Sequence, residues 1–236
     1  DADIYVTCAY GQILDEKILF AKKHGVINLH GSLLPKYRGA SPVQCALIGC
    51  EKETGVTILQ SGVGLDDGDI IAMEKIDIAN DDNAITLFDK LSSLSAMMIV
   101  PTLDDIEKGN VTFTKQDEEL ATKCSMFKPE MGIVDFNKSA EEIVGLIKGL
   151  AVWPNVRFTI NGVYFKVYNA VVSTVSRGAS EKITEYINNE GEKVISDMVS
   201  KELEKYTSSS LSDITTKIGT SEINLVDIMM NIYEQF

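Results

Sequence analysis

The sequence predicts an α/β fold: a parallel-type sheet, then a smaller β element, then a helical tail. Three observations carry this. A strand over 3–9, a helix over 16–24 and a strand over 26–29 make a βαβ unit, which implies a parallel, right-handed pairing. Two further strands, 54–60 and 70–78, follow a short helix and flank a loop rich in Gly and Asp. Asn161-Gly162 lies between two apolar runs, the strongest short hairpin signal, and from 180 on the apolar period becomes helical.

Each element has its local cause. Residues 3–9 are apolar enough to read as a buried strand. Asp15 is placed to cap a helix that Gly25 ends. Residues 30–40 form a loop with Pro and Gly at its bends. Ser41-Pro42-Val43-Gln44 combines an N-cap, a proline at the first helical position and a capping-box glutamine, and the helix stops at Gly49. In the loop 61–69, Gly62, Gly64 and Gly68 would permit positive φ and close approach to a ligand. Residues 84–108 read as a long helix with Pro101 as its bend point and Gly109 as its end. The polar stretch 110–138 reads as a linker. Ser139-Ala140-Glu141-Glu142 is a second capping box, opening a helix to Gly149. Strands 156–160 and 163–172 make the hairpin. Beyond it, Ile183, Ile187, Val194, Met198 and Leu203 recur at helical spacing.

The bulk properties exclude several classes. A hydrophobic share of 44% over 236 residues is enough for a core and excludes a mainly disordered chain. No apolar run reaches membrane-spanning length, since the run 96–100 stops at Pro101. Cys8, Cys45, Cys50 and Cys124 form no CxxC pair, which fits reduced thiols in a cytoplasm better than disulfides or a zinc site. A net charge of -13 argues against a general nucleic-acid surface, although an acidic protein can still present one basic face. No secretory pattern opens the chain. A strand begins almost at Asp1, so the sheet is expected to lack N-terminal strands.

The stretch from Asn28 to Gly39, NLHGSLLPKYRG, is the most informative. Asn28 and His30 stand two apart at the C-terminal end of a strand, so their side chains point the same way. Open α/β sheets put their active sites at such ends. The Asn28 amide can donate to a developing oxyanion, and His30 can move a proton near neutral pH. Each residue alone also has an ordinary use. Asparagine turns or caps a chain, and a histidine can sit satisfied in a core or on a surface. Asp66 could be one of three turn carboxylates, with Asp67 and Asp69. Lys36 and Arg38 are either solvated charges or contacts to phosphate or carboxylate, for which Arg38 has the better geometry.

Taken together, NLHGSLLPKYRG and GVTILQSGVGLDDGDI resemble the catalytic core of the folate-dependent formyltransferases, over roughly residues 1–175. The run RGASPVQ is most similar to the branch that acts on methionyl-tRNA. The resemblance implies a catalytic trio of Asn28, His30 and Asp66, acting as oxyanion donor, proton shuttle and anion for that shuttle. It implies 10-formyltetrahydrofolate as the formyl donor and no metal. Folate contacts would come from Tyr10, Gly11, Ile13, Ser32, Leu33, Leu34, Pro35, Gly64 and Leu65. Lys36 and Arg38 would contact the tRNA. The acceptor would be the amino group of initiator methionyl-tRNA, a cytoplasmic role in translation initiation. The implied organisation is a nucleotide-fold catalytic core over 1–123 without its N-terminal part and a linker with the opening of a small β-barrel domain over 124–176; a helical tail of unknown origin follows over 177–236. In that tail, from Glu181 on, 5 Lys stand against 11 Asp and Glu, a charge that would repel a tRNA backbone.

Other branches stay open. Gly31 after His30 disfavours the glycinamide ribonucleotide enzymes, where proline is usual. Formylation of an amino sugar nucleotide and release of formyl from formyl-folate are alternatives. So is a catalytically incomplete fragment that serves as a binding or structural module.

Overall fold

The computed structural model describes residues 2–160 and 163–172. The expected turn at Asn161-Gly162 and the helical tail lie outside the described residues.

In chain order, β1 (Tyr5–Cys8), α1 (Glu16–Leu19) and β2 (Val26–His30) form the expected βαβ unit, and β1 pairs with β2 in parallel. The helix is one turn, not two. Asp15 caps it, its Oδ1 accepting from the Lys17 amide at 2.7 Å, but the chain leaves helical geometry after Leu19 and turns at Gly25 with φ +65°. A two-residue strand, β3 (Arg38–Gly39), precedes α2 (Pro42–Ile48). Proline stands at the start of α2 as expected, but the Ser41 side chain makes no capping bond. β4 (Glu53–Gln60) adds antiparallel to β2, and β5 (Ile70–Asp77) antiparallel to β4, so the sheet is mixed, in the order β1-β2-β4-β5. β4 is central, and its residues 54–59 are all buried. β1 lies at the sheet's edge, and against the expected burial Tyr5 and Val6 stay exposed.

α3 (Ala84–Lys108) is one 25-residue helix through Pro101. Proline lacks an N–H and offers no ladder bond there. By length and composition this helix is apolar enough to cross a membrane, which corrects the expectation that no apolar run in the chain reaches that length. Its buried stripe is spent on the sheet. Leu87, Leu91 and Leu94 pack with Val43 and Leu47 of α2 and Val56 of β4. Further along, Ile99, Leu103 and Ile106 pack with Ile27 and Ile58. Each such buried side chain stabilises the fold by about 1.5–3 kcal/mol.

The stretch 110–138 is more than a linker. Thr114 exchanges backbone hydrogen bonds with Ile70 at 2.8 and 2.9 Å. After a 3₁₀ turn at Glu118–Leu120, β6 (Lys123–Cys124) pairs in parallel with β3. α4 (Ala140–Gly149) opens on the expected capping box, with Ser139 and Glu142 bonding each other's amides at 3.0 and 3.2 Å. β7 (Val156–Ile160) and β8 (Val163–Val167) form the expected antiparallel hairpin, its second strand shorter than predicted.

The chain divides into two compact units. One comprises Asp1–Gly132 and Lys148–Pro154; the other comprises Ile133–Ile147 and the described residues from Asn155 on. In the second, Phe136 meets Phe158 edge-on at 5.3 Å, and Phe158 stacks on Phe165 at 5.1 Å. The first unit contains every residue of the site described next.

Candidate active site

The C-terminal end of β2 carries Asn28 and His30 on one face, as the strand's period of two requires. The loop between β4 and β5 brings Asp66 to them. Asn28 Nδ2 lies 3.4 Å from Asp66 Oδ1, and His30 Nδ1 lies 3.5 Å from Asp66 Oδ2. The Gly39 amide donates to Asp66 Oδ2 at 2.9 Å. The carboxylate thus has one firm bond and two long contacts, to a potential donor and a potential base.

Each group has its orientation set. The Thr7 hydroxyl of β1 lies 3.0 Å from Asn28 Oδ1, which keeps the amide NH₂ on the Asp66 side. His30 is buried, and its Nε2 lies 2.9 Å from the Tyr37 carbonyl oxygen. A carbonyl only accepts, so Nε2 carries the proton in the neutral ring, and Nδ1, facing Asp66, is the nitrogen left to take one. Tyr37 aims that carbonyl from a left-handed backbone with φ +61°. Its amide donates to Thr122 Oγ1 and its hydroxyl to Glu51 Oε1, both at 2.8 Å. Burial and the Glu51 carboxylate push the Tyr37 phenol up, so it stays a neutral donor.

The Asp66 loop differs from its expected form. Its glycines do not carry the positive φ; Asp66 does, at +51°. Gly68 instead provides space, because a Cβ there would run into the Gln60 carbonyl oxygen. The loop's outer support comes from Gln116, whose Nε2 donates to the carbonyl oxygens of Asp66 and Gly68, both at 2.8 Å.

Arg38, expected to meet tRNA, is buried. Its Nε donates to Gln116 Oε1 at 2.9 Å, and its two terminal nitrogens bond Glu118 at 2.9 and 2.7 Å. In this structure it is a brace behind the loop. Lys36, which is exposed, pairs with Glu51 at 3.0 Å. Of the residues expected to contact folate, Ser32 and Leu34 are turned into the fold. The Ser32 hydroxyl donates to the Lys36 carbonyl at 2.6 Å, while the Thr57 hydroxyl donates to Ser32 O at 2.7 Å and accepts from the Leu34 amide at 3.2 Å. These bonds tie the loop 31–37 to β4. Leu33 and Pro35 are half-buried, while Tyr10, Gly11, Ile13, Gly64 and Leu65 are exposed.

Sequence reasoning did not single out Thr7, Thr57, Gln116 or Glu118 for this site. Thr7 was legible in principle, since a parallel neighbour of β2 must set a residue beside Asn28. Nothing local marks Gln116 or Glu118, which bond residues 48 to 80 positions away.

The first 103 residues match the formyl transferase family, and residues 126–197 match the formyl transferase C-terminal domain, beyond the residue 175 at which the sequence resemblance ends. Over 172 residues the chain is 45% identical to the methionyl-tRNA formyltransferase of Agathobacter rectalis, covering 73% of this chain and 56% of that relative's length. Thus the chain spans a little over half of the curated relatives it matches. Among solved structures, it is similar in fold to WlaRD, a sugar 3N-formyl transferase (TM-score 0.63, 22% identity, 73% of this chain and 62% of that one). It is also similar to a 4-N formyltransferase from Francisella tularensis (TM-score 0.62, 22% identity, 73% and 72%). With the two matches to the same family and the relatives in agreement, the chain belongs to the formyltransferase family.

Proposed function

We propose that this chain carries the catalytic centre of an enzyme that transfers the formyl group of 10-formyltetrahydrofolate to the amino group of methionyl-tRNA. The observation that carries the reading is the approach of Asn28 Nδ2 and His30 Nδ1 to opposite oxygens of Asp66. The donor and acceptor are supported by the methionyl-tRNA formyltransferases it resembles at 45% identity, and the folate type of donor by WlaRD, solved in the presence of 5-N-formyl-THF.

The chemistry fits these groups. The acceptor amine attacks the formyl carbon, a C–N bond forms, and the carbonyl oxygen becomes an alkoxide. Asn28 Nδ2 has a second hydrogen, not directed at Asp66, to offer that oxygen. The amine must lose a proton, and His30 Nδ1 is the nitrogen able to receive it. The imidazolium so formed faces the Asp66 carboxylate, which stabilises it without itself being protonated. The carbonyl then re-forms as the bond to folate N10 breaks, and N10 takes up the proton that His30 gives back, which leaves the imidazole neutral. A cytoplasmic setting and initiator tRNA as partner follow from this acceptor.

The test is formyl transfer to methionyl-tRNA by the protein that bears this sequence, compared with an amino sugar nucleotide as acceptor. Turnover with methionyl-tRNA that drops at least about a hundredfold in Asn28→Ala and His30→Ala, with folate binding retained, is the expected result. Turnover with the sugar nucleotide alone would overturn the acceptor. Wild-type turnover in the two variants would overturn the site.

A further inference from the structure

We infer that Gln116 is a positioning residue for Asp66, and that Arg38 and Glu118 act through it. The inference rests on the proposed reading of Asp66 as the anion of the site. Asp66 holds a left-handed backbone, which a non-glycine residue adopts at a cost. Something must over-determine it. Gln116 does so from outside the loop, with both amide hydrogens on the carbonyl oxygens of Asp66 and Gly68, and its amide oxygen on Arg38 Nε. Arg38 can only donate and the two carbonyls can only accept, so one orientation of the Gln116 amide satisfies all three contacts. Glu118 holds the other end of the guanidinium in a bidentate pair.

The same strand grips Asp66 at its other end. Arg38 and Ala40 send their amides to Thr122 and Cys124, at 2.8 and 3.1 Å, while the Gly39 amide between them points to Asp66 Oδ2. The loop is therefore clasped at its carboxylate by Gly39 and at its backbone by Gln116. Releasing the second clasp lets Asp66 move away from Asn28 and His30 without disturbing β3 and β6.

The experiment is Gln116→Glu, which keeps an acceptor for Arg38 but removes both donors to the loop. Amide hydrogen exchange in the 236-residue chain is the first readout and needs no activity. Gly39 is expected to exchange about tenfold faster, with Arg38 and Ala40 within about twofold of wild type. Unchanged exchange at Gly39 would overturn the inference, and so would equal acceleration at all three amides, which marks a general loosening. If Glu at this position prevents folding, Gln116→Met, similar in length and without donors, is read the same way. The second readout, in the active protein, is a turnover lowered about 10- to 100-fold at unchanged KM for methionyl-tRNA; a raised KM with unchanged turnover would also overturn it. A Gly39 response in a protein that does not formylate methionyl-tRNA would leave the positioning role standing and remove only the acceptor.

Discussion

Asp66 and Asp82 are both largely shielded carboxylates in the same unit, and they are held in opposite ways. Asp82 is matched from within its own neighbourhood: the Ala79 amide at 2.7 Å, the Thr86 hydroxyl at 2.9 Å and the Lys90 ammonium at 2.6 Å. It sits one residue before Asn83, the cap of α3, and locks the entry to that helix. Among the described residues, the side chain of Asp66 is bonded from 27 and more positions away, keeps two contacts of 3.4 and 3.5 Å and pairs with no lysine or arginine. A carboxylate whose acceptor sites are filled by short local bonds closes a turn. One left with long contacts to an amide and an imidazole has capacity in reserve, and those contacts can tighten when charge develops.

The sharpest way to break this contrast is the same substitution at both positions. Asp66→Asn keeps the size and the Gly39 acceptor but removes the anion. Turnover should fall at least about a hundredfold, while stability in urea changes by no more than about 0.5 kcal/mol. Asp82→Asn should do the reverse, costing about 2 kcal/mol of stability with turnover intact. Equal stability losses at both would show that Asp66 too is a structural carboxylate.

That contrast also marks what was legible in the sequence. The βαβ unit, the long helix and the capping box at Ser139 are written in spacings of a few residues, and the structure contains them. Asn28 and His30 were legible for the same reason: a period of two at a strand end is local information. Asp66 was not distinguishable from Asp67 by composition, and only the family resemblance singled it out. The brace behind it was hidden altogether. Gln116 lies in a stretch that reads as a polar linker, and its partners are fixed by tertiary folding. The partners of Arg38 were hidden for a related reason. An arginine in a loop reads as available, and the carboxylate that meets its charge, Glu118, is 80 positions away.

A smaller effect is expected at the support of His30. Tyr37→Phe removes the hydroxyl from Glu51 but leaves the carbonyl that receives His30 Nε2. It should cost about 1 kcal/mol in urea unfolding. Since the positive φ and the Thr122 bond remain, turnover should change less than about threefold. A loss of turnover as large as that of His30→Ala would mean that the phenol itself acts in the site.

The smallest effect tests Asp82 through its cation. Burial alone would push this carboxyl up, but Lys90, the Ala79 amide and the Thr86 hydroxyl hold it below the ordinary aspartate range. A carboxyl with a depressed folded value binds its proton more weakly in the folded state than in the unfolded one. Its stabilisation is therefore fully present above the unfolded value, about pH 4, and is lost as pH falls through the folded value. Lys90 is about half exposed, so solvent screens its share of that stabilisation. Lys90→Met should accordingly lower stability by only about 0.5 kcal/mol at pH 6. The difference from wild type should begin to close below about pH 4 and vanish once the pH has fallen through the folded value, where the folded carboxyl takes its proton and the ammonium no longer matters. Urea unfolding of both proteins at pH 6 and at successively lower pH measures this directly. A gap that persists undiminished in acid would show that Lys90 supports α3 through its aliphatic stem and not its charge, and the local charge matching assigned to Asp82 would have to be given up.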